Sequence, residues 1–132
     1  MATIFSRIIK GEIPCYKIAE NDEFFAFLDV NPIQKGHTLV VPKEEISYIF
    51  DIDDDKLGRY MAFAKKVAAA IKAAIPCVKV GIAVVGLEVP HSHIHLVPLN
   101  QVNDMSFEHK MTLEKEEMQQ IADKIVKNFS MN

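Results

Sequence analysis

Three of the chain's five histidines fall in one stretch, Pro90-His91-Ser92-His93-Ile94-His95-Leu96-Val97-Pro98. Alternate residues of an extended segment point to one side. His91, His93, His95 and Val97 therefore share a face, with Ser92, Ile94, Leu96 and Pro98 behind them. Neighbouring imidazoles on that face lie about 6–7 Å apart along a strand. A neutral imidazole is a nucleophile and a general base near pH 7. It can attack phosphorus when its other nitrogen is held as a donor by a carbonyl or a second histidine. A row supplies the attacker and its orienting partners together. The same row can bind a metal, imidazole being a common ligand. Sites built from H-x-H take a further carboxylate or histidine, and the remaining histidines are His37 and His109. A third reading is the polar solvent face of an edge strand. The residues alone leave all three open.

The elements that must hold this row can be read along the chain. Ile4, Phe5, Ile8 and Ile9 recur at helical spacing, and Gly11 is a stop. Tyr16 to Ala19 and Phe24 to Leu28 read as two strands joined by a turn at Asn21-Asp22. The stretch NPIQKG is a loop closed by Gly36, and His37 to Pro42 is a β-branched third strand. Asp53, Asp54 and Asp55 start a long helix. Its apolar stripe is Leu57, Tyr60, Met61, Ala64, Val67, Ala68, Ile71 and Ile75, and Pro76 ends it. Val78 to Val85 is almost continuously apolar, which predicts a central strand buried on both faces. Gly86 marks a turn, and His91 to Leu99 is the neighbouring strand. A last helix follows Thr112 and runs to about residue 129, with Met118, Ile121, Ala122, Ile125 and Phe129 on its apolar face. This order predicts an α+β fold, an antiparallel sheet carrying helices.

Composition narrows the function classes. A chain of 132 residues is the size of one domain, here 1–132. Apolar residues are 49% and charged residues 25%, ordinary for a globular protein. A net charge of −3 gives no global basic field to draw the protein onto nucleic acid or an anionic membrane. Cys15 and Cys77 stand far apart and in no C-x-x-C arrangement, as expected of small apolar residues in a reducing compartment. The first residues, MATIFSRIIKGEIP, lack a signal-peptide core, and no apolar run approaches the ~20 residues of a membrane helix. The expected compartment is the cytoplasm.

The segment His-Ser-His-Ile-His-Leu-Val-Pro resembles the signature of the histidine-triad (HIT) family, His-φ-His-φ-His-φ-φ with φ apolar. Ser92 is its one polar φ position. Upstream, IFSRIIKGEIP and FAFLDVNPIQKGHTLVVPK resemble the N-terminal half of the same family in order and spacing. The resemblance spans about Thr3 to Pro98 and lies nearest the small nucleotide-binding phosphoramidases and related hydrolases. It implies a HIT-like fold with a five-stranded antiparallel sheet, assembled as a homodimer. The implied activity is cleavage of purine nucleoside phosphoramidates or related nucleotide esters at the α-phosphate, without a cofactor or catalytic metal. His93 would attack phosphorus and form a nucleotidyl-histidine, which water then hydrolyses. His91 and His95 would orient it and line the phosphate site, and His37 would complete the network. Asp29 would accept hydrogen bonds from the ribose. The base pocket falls on Ile4, Phe5, Ile8, Phe27, Val30 and Leu39, apolar or aromatic residues that suit a flat purine. The same residues also read as ordinary core, and Asp29 as a turn cap before Asn31-Pro32.

The chain also departs from the family. Many relatives carry a zinc-binding C-x-x-C and a histidine after the third strand; those positions hold Thr3, Ser6 and Glu45 here, so the resemblance implies no structural zinc. In the turn before the triad, Gly86 and Val89 match, but Leu87 replaces a glutamine. Glu88 stands where a serine or threonine often touches phosphate. A carboxylate repels phosphate unless it turns away or meets a cation. An alternative reading is thus a non-enzymatic nucleotide-binding or regulatory module, and a further one is a metal-dependent enzyme using the H-x-H row. The tryptophan that often ends the phosphoramidases is absent, and a C-terminal helix is added. That helix packs on the sheet or on a partner subunit. His109, in the linker before it, is assigned no catalytic part.

Overall fold

The computed structural model describes residues 2–130. Helix α1 (Ile4–Ile9) is capped by Thr3, whose Oγ1 accepts from the Ser6 amide. Strands β1 (Lys17–Glu20) and β2 (Phe24–Leu28) form a hairpin. Its turn is tied by Asn21 Oδ1, which accepts from the Glu23 and Phe24 amides. Strand β3 (Thr38–Pro42) follows the loop that ends at Gly36. Helix α2 (Asp54–Ala74) starts on Asp53, whose carboxylate accepts from the Lys56 amide. Strands β4 (Lys79–Ala83) and β5 (Ile94–Leu99) and helix α3 (Lys115–Asn128) complete the order. Short 3₁₀ turns lie at Ile49–Asp51 and Val102–Asp104. The five strands form one antiparallel sheet in the order β1-β2-β3-β5-β4, the α+β architecture expected. Among the described residues no helix is long and apolar enough to cross a membrane.

The sheet has two differently dressed faces. One carries Phe24, Ala26, Leu28, Val40, Ile94 and Leu96 against Tyr60, Phe63, Val67 and Ile71 of α2, with Met118, Ile121 and Ile125 of α3 closing the cluster. Each large apolar side chain buried there contributes about 1.5–3 kcal/mol. The Tyr60 hydroxyl, fully buried, donates to the Val40 carbonyl at 2.6 Å. Helix α3 therefore packs within its own chain. The opposite face carries Phe25, Phe27, Leu39 and Val41 under Phe5 of α1. Register places Phe27 opposite Leu39, Leu39 opposite His95, and His95 opposite Ala83, one row across four strands.

Three expectations need correction. The apolar run at Val78 to Val85 is not a central strand: β4 is an edge strand of the sheet, with Ile82 49% and Val85 52% exposed. On α2, Phe63 and Ala70 are buried and Met61 is exposed, because the sheet and α3 cover a face rotated from the one read off the stripe. Strand β5 starts at Ile94, so His91 and His93 precede it. The β3 ladder ends at the Val40–Ile94 pair. Upstream, the Ser92 amide turns to the Ile46 carbonyl and the His91 amide to Val89.

Candidate active site

Four histidines converge on the α1 face of the sheet. His95 is delivered by β5, His91 and His93 by the extended approach to it, and His37 by the residue preceding β3. The ring centroids of His93 and His95 lie 4.9 Å apart and those of His37 and His95 5.2 Å apart. Phe5 sets its ring edge-on against His91 and His93, at 5.7 and 5.0 Å. The four are not equally accessible. His37 and His91 are 1% and 0% exposed, whereas His93 and His95 each keep 7%. All four are buried, and only the last two retain measurable exposure beyond about 1%. Because β5 lies between β3 and β4, the edge-strand reading of the row is excluded.

Main-chain partners fix which nitrogen carries hydrogen on His37, His91 and His93, and His37 passes that constraint on to His95. The Ile33 amide donates to His37 Nδ1 at 3.1 Å, so that nitrogen is bare and Nε2 carries the proton. His37 Nε2–H then donates to His95 Nδ1 at 2.9 Å, leaving His95 with an Nε2–H. His93 Nδ1 lies 2.8 Å from the His91 carbonyl, which only accepts. Nδ1 therefore carries a proton, and in the neutral ring the Nε2 lone pair of His93 is bare. His91 Nε2–H donates to the Pro42 carbonyl at 2.7 Å, and its Nδ1 accepts from the Thr3 hydroxyl at 2.8 Å. One nitrogen lone pair and one N–H, on adjacent rings, are thus presented by the two accessible histidines.

The surroundings favour the neutral form of His37, His91 and His95. Burial, reinforced by the neighbouring His93 and Lys110, holds the pKa of His37 down to about 4. Burial and the neighbouring His37 and His93 hold His95 down to about 4 as well. His91 is lowered too, again chiefly by burial. Burial instead raises the Asp29 carboxyl.

Asp29 lies in the loop after β2. Its Oδ1 accepts from the Asn31 amide at 2.9 Å, the turn cap, while Oδ2 stands 3.7 Å from His37 Nε2. Asp29, His37 and His95 bring one ligand atom each within 4.8 Å of one another. His37 Nε2 and His95 Nδ1 already share a hydrogen bond, which an ion bound through those two nitrogens would have to break. Phe5, Phe27 and Leu39 are buried together beside the histidines, with Ile8 partly buried against them. Ile4 and Val30, 48% and 58% exposed, lie outside that cluster. Glu88 is exposed in the connection between β4 and β5.

Thr3, Ser6 and Glu45 do come together beside His91, but not as metal ligands. Glu45 Oε1 accepts from the Thr3 amide at 2.7 Å and from the Ser6 hydroxyl, and Thr3 passes the network on to His91. Hydroxyls and one carboxylate do not match the thiolate and imidazole donors of a structural zinc site. Sequence reasoning missed Phe107, whose ring lies edge-on to His95 at 4.7 Å and to His37 at 6.3 Å. It sits beyond the histidine motif with no local pattern to mark it.

Residues 10–102 match the family model described as HIT domain. An uncharacterised HIT-like protein of Borreliella burgdorferi is 35% identical over 96% of this chain and 97% of its own length. Adenosine 5'-monophosphoramidase HNT1 of Saccharomyces cerevisiae is 39% identical over 74% of this chain and 62% of its own. Among solved structures, a Hit-like protein of Bartonella henselae superposes with a TM-score of 0.83, at 28% identity and 96% coverage of both chains.

Proposed function

Because this chain belongs to the HIT family, we propose that it is a nucleotide hydrolase cleaving purine nucleoside phosphoramidates or related nucleotide esters at the α-phosphate. The observation that carries this is the bare Nε2 of His93, held by the 2.8 Å bond from its Nδ1–H to the His91 carbonyl. The yeast relative named as an adenosine 5'-monophosphoramidase supports the substrate class.

In the first half-reaction His93 Nε2 attacks the α-phosphorus. The phosphorus–nitrogen bond to the amine breaks, and the amine leaves with a proton taken from solvent, which the attacking water returns in the second half-reaction. In the second, water attacks the same phosphorus, the bond to His93 breaks and the nucleoside monophosphate departs. Splitting the transfer in this way suits imidazole, both a good nucleophile and a good leaving group. Phosphoryl transfer otherwise asks for positioning and for donors to the phosphate oxygens. His95 Nε2–H is such a donor, aligned through His37. Phe5, Phe27 and Leu39 offer the apolar surface for the base, and Asp29 Oδ2 the acceptor for ribose hydroxyls.

The test is amine release from an adenosine phosphoramidate. Wild type is expected to release amine and AMP. His93→Ala is expected to release neither while still binding AMP. A second reading, a nucleotide-binding module without turnover, is favoured by Leu87 and Glu88 in the turn before the triad; AMP binding with no amine release by wild type would establish it.

The proposed assembly is a homodimer. Tyr48, Phe50, Met61, Ile82, Val85 and Leu87 line a groove of about 600 Å³ beside the unpaired edge of β4. An apolar edge strand is a template for pairing with another chain. A second copy laid on this edge would cover both the backbone and the groove.

A further inference from the structure

The segment between β5 and α3 lies almost wholly beyond the HIT domain match, which ends at residue 102. It nevertheless reaches the site. Asp104 Oδ2 accepts from the Asn100 and Gln101 amides, folding the chain back as it leaves β5. The Gln34 side chain then donates to the Asp104 carbonyl at 3.4 Å, and the Met111 amide donates to the Pro32 carbonyl at 2.9 Å. Both anchors fall on the β2–β3 loop. That same loop supplies the Ile33 amide that sets the tautomer of His37. Between the anchors, half-buried Phe107 puts its ring edge-on to His95 and His37. His95 is thereby flanked by His93 at 4.9 Å and by Phe107 at 4.7 Å.

We propose that Phe107 is a positioning residue for the His37–His95 relay. Its ring covers the His37–His95 hydrogen bond and excludes water from it, so that His95 keeps a single tautomer with Nε2–H toward the substrate. The physical reason is competition. A hydrogen bond between two neutral imidazoles contributes little net where water can replace either partner, and holds far better where water cannot enter. Two imidazoles open to water interchange tautomers, and a ring in the wrong tautomer turns a lone pair toward the phosphate oxygens. Phe107 touches no reacting atom in this account; it acts through His95.

The proposal rests on the hydrolase reading, but its test separates the two. The imidazole nitrogens of the full-length protein are observed by ¹⁵N NMR at pH 7. In wild type, His95 is expected to show one protonated and one bare nitrogen, well separated in shift. Phe107→Ala and Phe107→Gln are expected to bring these two shifts toward their average, and Phe107→Leu, which keeps an apolar cover, to leave them apart. With the phosphoramidate, Phe107→Ala is expected to lose about tenfold in kcat with KM unchanged, and Phe107→Leu to regain most of it. Unaltered His95 shifts in both Phe107→Ala and Phe107→Gln would overturn the proposal, as would a loss that falls wholly on KM. If wild type cleaves no phosphoramidate, the hydrolase reading fails while the nitrogen shifts still decide the role of Phe107.

Discussion

At the scale of single residues, the site is a set of proton positions imposed by main-chain groups. His37 and His95 are neutral in the fold with pKa values near 4, against an ordinary histidine at 6.5. A proton on His37 Nδ1 would face the Ile33 amide, donor against donor. A proton on His95 Nδ1 would face His37 Nε2–H in the same way. The unfolded chain thus binds more protons than the folded one between pH 6.5 and 4. Stability from these groups is present above pH 6.5 and is lost as pH falls toward 4. Urea midpoints across that range are expected to fall with pH, and His37→Asn with His95→Asn to flatten the fall. Thr3→Val removes the donor to His91 Nδ1 and leaves that buried nitrogen unpaired. The expected cost is about 1–3 kcal/mol in urea unfolding. The cluster itself was legible in the sequence, as was His37 through the family likeness. The tautomers were not, because their determinants are carbonyls of Pro42 and His91 and an amide of Ile33, and every residue has those.

Elements show where local pattern suffices and where packing decides. The helix start within Asp53 to Asp55, the turn at Asn21 and the apolar face of α3 followed from residue type and spacing, since each is settled within a few neighbours. The burial of β4 and the facing of α2 were misread. A continuous apolar run announces burial without saying by what, and Met61, Ile82 and Val85 all open on the same groove instead of on the core. Two substitutions test the packing. Tyr60→Phe removes the bond to the Val40 carbonyl beneath β3 and is expected to cost about 1 kcal/mol or more of stability by urea titration. Gly36→Ala is strained twice over. Its φ is +96°, and an added Cβ would lie 3.1 Å from Ile75 Cγ1 and 3.3 Å from Pro98 Cγ. Since Gly36 immediately precedes His37, that variant is expected to lose both stability and activity.

The whole molecule places one sheet between a helical core and a histidine face, and leaves the outer edge of β4 without a strand partner among the described residues. That edge makes assembly a physical expectation: sedimentation of wild type is expected to give a dimer. Ile82→Lys, a charge on the exposed side of β4, is expected to give a folded monomer. A monomeric wild type at micromolar concentration would remove the second copy from the account. The C-terminal quarter, beyond β5, divides its work: α3 completes the core, and the strand-to-helix segment covers the relay.

The proposed function turns on one chemical event, a bond between phosphorus and the Nε2 of His93. The direct measurement is to quench the protein during turnover of an adenosine phosphoramidate and locate the adenylyl group by peptide mass spectrometry. Modification confined to His93, and lost in His93→Ala, is the predicted result. An adenylyl group on any other residue, or amine release undiminished in His93→Ala, would contradict it.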